Sequence, residues 1–147
     1  MRQYQIYWVE EEFANHYFGR EIMFYRLFFQ FNEERNEERK NILNKQVEYI
    51  TKPLPAIQLN QFIESELKGN INFTITTEGF MFHDQATRSG ASLSVHERYI
   101  WVVGTGNYET EMMLFDLLRK WDSRFLAIDL GQARYGWLSP IKQRKFV

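Results

Sequence analysis

Residues 11–31 of the chain, EEFANHYFGREIMFYRLFFQF, contain more aromatic residues than one helix face can bury. At 100° per residue, the segment forms two neighbouring apolar stripes that together cover about half of the helical wheel. The first stripe contains Phe13, Tyr17, Phe24, Phe28 and Phe31, and the second contains Ala14, Phe18, Ile22, Tyr25 and Phe29. A helix on a single core needs an apolar arc of little more than about 100°. The pattern therefore predicts either that two elements cover this helix or that one stripe contacts another protein.

Gly19 is the expected interruption of this segment, because glycine disfavours helix interiors. After Gly19, the aromatic residues of the longer piece are expected in the core: Phe24, Phe28 and Phe29. Before Gly19, Phe13 and Tyr17 are spaced i, i+4, and their neighbours Asn15, His16 and Arg20 are polar. Aromatic anchors in a polar surround are typical of protein interfaces.

A second helix is predicted over residues 36–51, because Pro53 and Pro55 cannot continue it. The charged run at residues 32–40, NEERNEERK, is interpreted as a solvated connector or the start of this helix. On a helical wheel, the predicted helix over residues 36–51 again has two separate stripes. The core stripe contains Leu43, Val47 and Ile50, and a separate stripe contains Ile42, Gln46 and Tyr49. Because the second stripe mixes polar and aromatic residues, it suits an interface better than a core.

The remaining elements follow from changes in hydrophobic period. Tyr4, Ile6 and Trp8 alternate onto one face of a first strand. A short third helix is expected at residues 59–67, and a β-hairpin at residues 70–77 and 80–84. Further strands are predicted at residues 93–95, 99–103 and 125–130, with a helix at 108–121 that Asn107 caps. Residues 131–147 are expected to be mostly irregular.

This order of elements predicts an α+β fold. We expect a two-layer sandwich in which a mainly antiparallel sheet packs with three to four helices, in an acetyltransferase-like order. The chain of 147 residues supports a single domain over residues 1–147.

The composition of the chain argues against several classes of protein. The formal net charge of −1 gives no electrostatic reason to expect nucleic acid or an anionic membrane as partner. The absence of cysteine excludes disulfides and thiolate metal sites, and it is typical of a reducing compartment. The N-terminus, MRQYQIYWVEEE, lacks the features of a secretory signal, and no apolar window is long enough for a membrane span. A soluble, cytoplasmic protein is therefore expected.

Few residues indicate a catalytic, metal-binding or ligand-binding role. His16, His83 and His96 have no metal-ligand spacing, and no catalytic motif is present, so we expect no catalytic residue, metal, cofactor or small-molecule substrate. The exception is the loop Gly104-Thr105-Gly106, which lies between a strand and a helix, where backbone N–H groups can bind an anion. The element order also resembles that of acetyltransferases of the GCN5-related type. An acyl-CoA-binding protein that uses this loop is therefore the alternative function, although a turn without a ligand is the favoured interpretation.

Four motifs carry a second resemblance. They are EEFANHYFGRE at residues 11–21, QVEYITKPLP at 46–55, GNYETE at 106–111 and YGWLSPIKQRKFV at 135–147. With them, the chain resembles the sporulation inhibitor of replication SirA family of spore-forming bacilli over essentially its whole length.

The resemblance implies a cytoplasmic, non-catalytic protein that binds the N-terminal domain of the replication initiator DnaA through a helical, mainly apolar surface. The implied contacts within the matching motifs are Phe13, Tyr17, Gln46 and Tyr49, with Asn15, Arg20 and Ile42 as further candidates. A homodimer that uses the aromatic face itself remains open as another explanation of that face.

Overall fold

The computed structural model describes residues 1–16 and 19–139. Its elements in chain order are β1 Arg2–Trp8, α1 Glu11–His16, α2 Glu21–Glu33, α3 Glu37–Ile50, α4 Ala56–Leu67, β2 Phe73–Ile75, β3 Phe80–Asp84, β4 Ser89–Val95, β5 Ile100–Thr105, α5 Glu109–Trp121, β6 Phe125–Asp129 and β7 Arg134–Trp137. None of the helices in the described part of the chain has the length and apolar composition that a membrane span requires.

The strands form one sheet of seven strands, in the order β2-β3-β4-β5-β1-β6-β7. Every neighbouring pair is antiparallel. The N-terminal strand β1 lies inside the sheet, between β5 and β6, so that residues from the two ends of the chain pair with each other. Its alternating side chains therefore contribute to both faces of the sheet.

Each face of the sheet carries its own hydrophobic cluster. Tyr4 and Ile6 of β1 belong to a cluster that includes residues of α4 and α5. Tyr7 and Val9 belong to a second cluster, which includes Phe24 and Phe28 of α2 and Val47 of α3. Strand β6 is buried at all five positions, as expected for a strand that is covered on both sides.

The α+β class and the antiparallel sheet are confirmed. The structure has five helices in its described part, and they cover both faces of the sheet, which adds a layer to the expected two. The helix boundaries agree with the sequence pattern to within a few residues. Asn36 caps α3, since its Oδ1 accepts a hydrogen bond from the Arg39 N–H at 3.0 Å. Gly19 separates α1 from α2 with a left-handed φ of +84°.

Two expectations are wrong. Phe29 is not in the core, because it is 38% exposed on the outer side of α2. Residues 131–139 are not irregular throughout, because Arg134–Trp137 forms β7 and pairs with β6.

Tyr7 joins β1 to α2. Its ring stacks on Phe28 with centroids 4.1 Å apart and planes 9° from parallel. Its hydroxyl donates a hydrogen bond to Gln5 Oε1 at 3.0 Å. The side chain is buried, and this burial raises the pKa of the phenol above its ordinary value of 10.0. The native fold therefore favours the neutral form of Tyr7.

The raised pKa of Tyr7 predicts a loss of stability at alkaline pH. The stabilisation is complete below the unfolded pKa and decreases as the pH rises above it, because ionisation is easier in the unfolded chain. Tyr7→Phe keeps the stacked ring and should cost only about 0.5–1.5 kcal/mol at neutral pH. Between about pH 10 and pH 11.5, its free energy of unfolding should fall less steeply than that of the parent. Urea titrations across this range check the prediction, and parallel pH profiles would contradict it.

Candidate functional site

A backbone crossing determines where α1 lies. Val9 follows β1 and forms an isolated antiparallel bridge with Thr51, which follows α3. Next to it, the Glu10 N–H donates to the Ile50 carbonyl at 2.9 Å, and the Lys52 N–H donates to the Trp8 carbonyl at 2.7 Å. The start of α1 is therefore held beside the end of α3, although about 40 residues separate them in the chain.

Side chains reinforce this crossing from within the protein. Thr51 is only 1% exposed, and its hydroxyl donates to the Val47 carbonyl at 2.7 Å. The Arg98 guanidinium donates to the Thr51 carbonyl at 3.1 Å and to its Oγ1 at 3.2 Å. Because hydrogen bonds from a charged donor to a buried acceptor are stronger than neutral ones, Arg98 stabilises the position of Thr51.

The crossing brings two predicted contact residues together. The rings of Phe13 on α1 and Tyr49 on α3 have centroids 5.2 Å apart, with planes inclined by 62°. Phe13 is half-buried and packs against the second hydrophobic cluster, whereas Tyr49 is 73% exposed. The pair thus has a buried base and an accessible ring, an arrangement typical of an interface anchor.

The exposed stripe of α3 extends this surface. Ile42 is 57% exposed and Gln46 is also exposed, while Val47 in the neighbouring core stripe is 4% exposed. The two stripes of α3 therefore face different environments, as the sequence pattern indicates. We call the surface formed by Phe13, Ile42, Gln46 and Tyr49 the α1–α3 face.

Three further predicted contacts have different outcomes. Asn15 on α1 and Arg20 before α2 are exposed, so both are accessible to a partner. Tyr17 lies outside the described residues. The Val9–Thr51 crossing has no direct signal in the sequence, because a single bridge between distant residues leaves no periodic pattern.

The histidines have surroundings that differ from those of a metal site. No group of three or more potential metal ligands occurs among residues 1–16 and 19–139. His96 lies in a local contact, with its Nε2 2.9 Å from Ser94 Oγ and its ring stacked on Tyr99 at 4.7 Å. His16 and His83 are exposed on α1 and β3.

The loop Gly104-Thr105-Gly106 carries internal groups where an anion would have to approach. The buried carboxylate of Glu111, on α5, lies against Gly104, and a Cβ at Gly104 would be 2.6 Å from Glu111 Cδ. The Arg2 Nε donates to this carboxylate at 2.8 Å, and the Tyr4 hydroxyl also donates to it. A buried, negatively charged side chain of the protein itself therefore lies against the loop at Gly104.

Nearby hydrogen-bond donors are also satisfied internally. The Asn107 N–H donates to Ser89 Oγ at 2.9 Å, and the Glu109 N–H donates to Asn107 Oδ1 at 3.1 Å. The N-cap of α5 is Tyr108, one residue after the predicted Asn107, and the Asn107 side chain contacts the start of the helix through its bond to the Glu109 N–H. The pKa of the Tyr4 phenol is raised to about 12, first by burial and then by its hydrogen bond to Glu111. This geometry favours a structural turn over an acyl-CoA site.

Comparison with known proteins establishes the family. The model of the family described as "Sporulation inhibitor of replication protein SirA" matches residues 2–142. The chain is also 38% identical, over 150 residues, to a protein of Bacillus subtilis (strain 168) with the same description. The alignment covers 99% of this chain and 99% of the relative. The chain belongs to the SirA family.

The contact between Glu111 and Gly104 predicts that adding a single methyl group at Gly104 destabilises the fold. Gly104→Ala would force the buried carboxylate away from Arg2 and Tyr4, so the free energy of unfolding should fall by about 1–3 kcal/mol. Gly131→Ala is the matched control, because a Cβ there would meet only Asp129 Oδ1, at 3.6 Å. Chemical denaturation compares the two variants. An equal effect of both substitutions would contradict the role assigned to Glu111.

The same geometry predicts no complex with acetyl-CoA. Because the carboxylate of Glu111 lies against Gly104, the phosphates of the ligand would meet a negative charge at the loop. Isothermal titration calorimetry should therefore record no heat of binding. A saturable, stoichiometric heat that Gly104→Ala abolishes would restore the acyl-CoA alternative.

Proposed function

We propose that this member of the SirA family inhibits the initiation of DNA replication during sporulation by binding the N-terminal domain of the initiator DnaA. The contact surface is the α1–α3 face, extended by Asn15, Tyr17 and Arg20. The Bacillus subtilis relative is described as a sporulation inhibitor of replication, which supports the role of this chain as a replication inhibitor. The partner is the one that the resemblance to the SirA family implies.

One observation carries the proposal. The exposed ring of Tyr49 contacts Phe13, and the backbone crossing at Val9 and Thr51 holds the two helices in this arrangement. Because the aromatic pair is already ordered in the isolated protein, binding costs less side-chain entropy than an anchor that must first be immobilised. The adjacent Ile42 adds apolar surface and Gln46 adds hydrogen-bonding groups, as interface cores and their rims require.

The shape of the α1–α3 face favours a helical partner. Two helices, α1 and the exposed side of α3, offer ridges of side chains that can pack against a helical surface of a folded domain. An interface of about 1,200–1,600 Å² in total is the size expected for a specific complex of this kind. DnaA therefore supplies a folded docking surface in this proposal, and neither DNA nor nucleotide takes part in the contact.

Inhibition then follows from occupancy. In the cytoplasm, the protein covers a docking surface of the DnaA N-terminal domain and so prevents other proteins or further DnaA molecules from using it. Assembly of the initiator at the origin is impaired, while its DNA-binding and nucleotide-binding sites are left untouched. The inhibitor needs no catalytic group for this mechanism, because its effect depends only on affinity and concentration.

Tyr49→Ala tests the proposed surface. The truncation removes an exposed anchor, so the affinity for the isolated DnaA N-terminal domain should fall at least about tenfold, which corresponds to about 1.4 kcal/mol or more. Calorimetry or biolayer interferometry measures the change. Tyr17→Ala should weaken binding in the same way, since Phe13 and Tyr17 are spaced i, i+4 in the sequence.

Ile57→Ala is the matched control for Tyr49→Ala. Ile57 is 72% exposed on α4, nearly the same exposure as Tyr49, but it lies outside the α1–α3 face. Its replacement should leave the affinity unchanged. If both variants remain folded by circular dichroism and Tyr49→Ala binds as tightly as Ile57→Ala, the proposed surface is wrong.

A further inference from the structure

Within residues 1–16 and 19–139, strand β7 leaves hydrogen-bonding groups of the sheet edge without a neighbouring strand. It is the last strand on its side, and no strand in the described part of the chain lies beyond it. The Leu138 N–H donates to the Phe125 carbonyl at 3.0 Å, and Gly136 is opposite Ala127. In an antiparallel ladder, the residues between such hydrogen-bonded positions point their backbone groups away from the partner strand. The N–H and C=O groups of Tyr135 and Trp137 therefore point outward.

In the part of the chain that the structure describes, the edge at β7 lacks the usual protection. Natural sheets prevent edge pairing with prolines, bulges or charged side chains on the outermost strand. The only charged residue of β7 is Arg134, and its guanidinium donates to Asp129 Oδ2 at 2.9 Å. The central residues Tyr135, Gly136 and Trp137 are uncharged. This edge is consequently able to accept another strand.

Aromatic side chains surround the edge on the α2 side of the sheet. The Tyr135 ring lies 5.2 Å from that of Tyr25, which lies 6.0 Å from that of Phe29. Tyr135 and Phe29 are each 38% exposed. Trp137 points to the same side, where its ring meets Phe24 at 6.0 Å. An added strand would therefore gain apolar contacts as well as backbone hydrogen bonds.

We propose that the strand added at this edge is β7 of a second copy of this chain. An antiparallel pair with its two-fold axis at Gly136 would place Tyr135 opposite Trp137 of the second copy, and Trp137 opposite Tyr135. These are the residues with outward N–H and C=O groups, so the register forms four backbone hydrogen bonds with none left over. The two seven-stranded sheets become one continuous sheet.

Side chains agree with this register. Each aromatic pair, Tyr135 with Trp137 of the second copy, lies on the α2 side, where the rings of Tyr25 and Phe29 extend the contact. At the axis, the two copies of Gly136 form a closely spaced, non-hydrogen-bonded pair with Cα atoms about 4.5 Å apart. Because glycine has no side chain, nothing obstructs this approach. The two Arg134 side chains are each neutralised by Asp129, so they add no unbalanced repulsion.

The dimer is weak and independent of the proposed function. The short edge and four aromatic rings bury less than the roughly 1,600 Å² of a standard interface, so dimerisation depends on concentration in the micromolar range or above. The residues of the α1–α3 face, Phe13 and Tyr49 among them, do not belong to this edge. Failure of the dimer would thus leave the DnaA proposal intact, and the converse also holds.

A disulfide experiment tests the proposal directly, because the chain contains no cysteine. A Cβ at Gly136 would meet nothing within 4 Å, so Gly136→Cys fits the fold. In the proposed register, its Cα lies about 4.5 Å from that of the second copy, within the range of about 4.4–6.8 Å for disulfides. Thr74→Cys is the matched control, since Thr74 is exposed on β2, at the opposite edge of the sheet.

Under mild oxidation, Gly136→Cys should form a covalent dimer at least about fivefold faster than Thr74→Cys. Adding Tyr135→Lys to the Gly136→Cys chain should reduce the rate to that of the control, because a charged residue blocks the edge. Sedimentation equilibrium of the parent chain should show a mass that rises towards the dimer as its concentration approaches ~1 mM. Equal oxidation rates for the two cysteine variants, or a parent that remains monomeric throughout, would overturn the proposal.

Discussion

The position of the candidate site depends on the backbone crossing between Val9 and Thr51. Two backbone hydrogen bonds, which together form the antiparallel bridge between Val9 and Thr51, join the end of β1 to the end of α3. Since α1 has only six described residues, it is too short to be stable by itself. Its position is therefore set by this crossing and by the packing of Phe13. Arg98, which donates to Thr51 from the loop between β4 and β5, ties the crossing to the sheet.

Strand β1 connects the crossing to the rest of the protein. It pairs with β5 on one side and β6 on the other, and its alternating side chains enter both hydrophobic clusters. At its start, Arg2 and Tyr4 hold the buried carboxylate of Glu111 on α5. At its end, Val9 leads into α1. The same strand thus stabilises the loop at Gly104 as a structural turn and determines where the α1–α3 face lies.

Sequence periodicity predicted the local elements well because period-3.6 and period-2 patterns are properties of single segments. It separated the buried Val47 from the exposed Tyr49 on α3, and it divided the first aromatic segment at Gly19. It could not reveal that helices cover both faces of the sheet, since that depends on strand order. The burial of Glu111 had no sequence signal either, because its partner Arg2 is 109 residues away. Strand β7 was missed because Arg134–Trp137 is short and contains glycine, which weakens a strand pattern.

A residue-level map of the complex would show whether DnaA docks on the α1–α3 face. Backbone amide NMR signals of the isotopically labelled protein would be followed during titration with the unlabelled DnaA N-terminal domain. We predict that the largest changes cluster on α1 and on the exposed stripe of α3, around Phe13, Gln46 and Tyr49. A map centred instead on α4, on the β2–β3 edge or on β7, with the signals of α1 and α3 unchanged, would contradict the account.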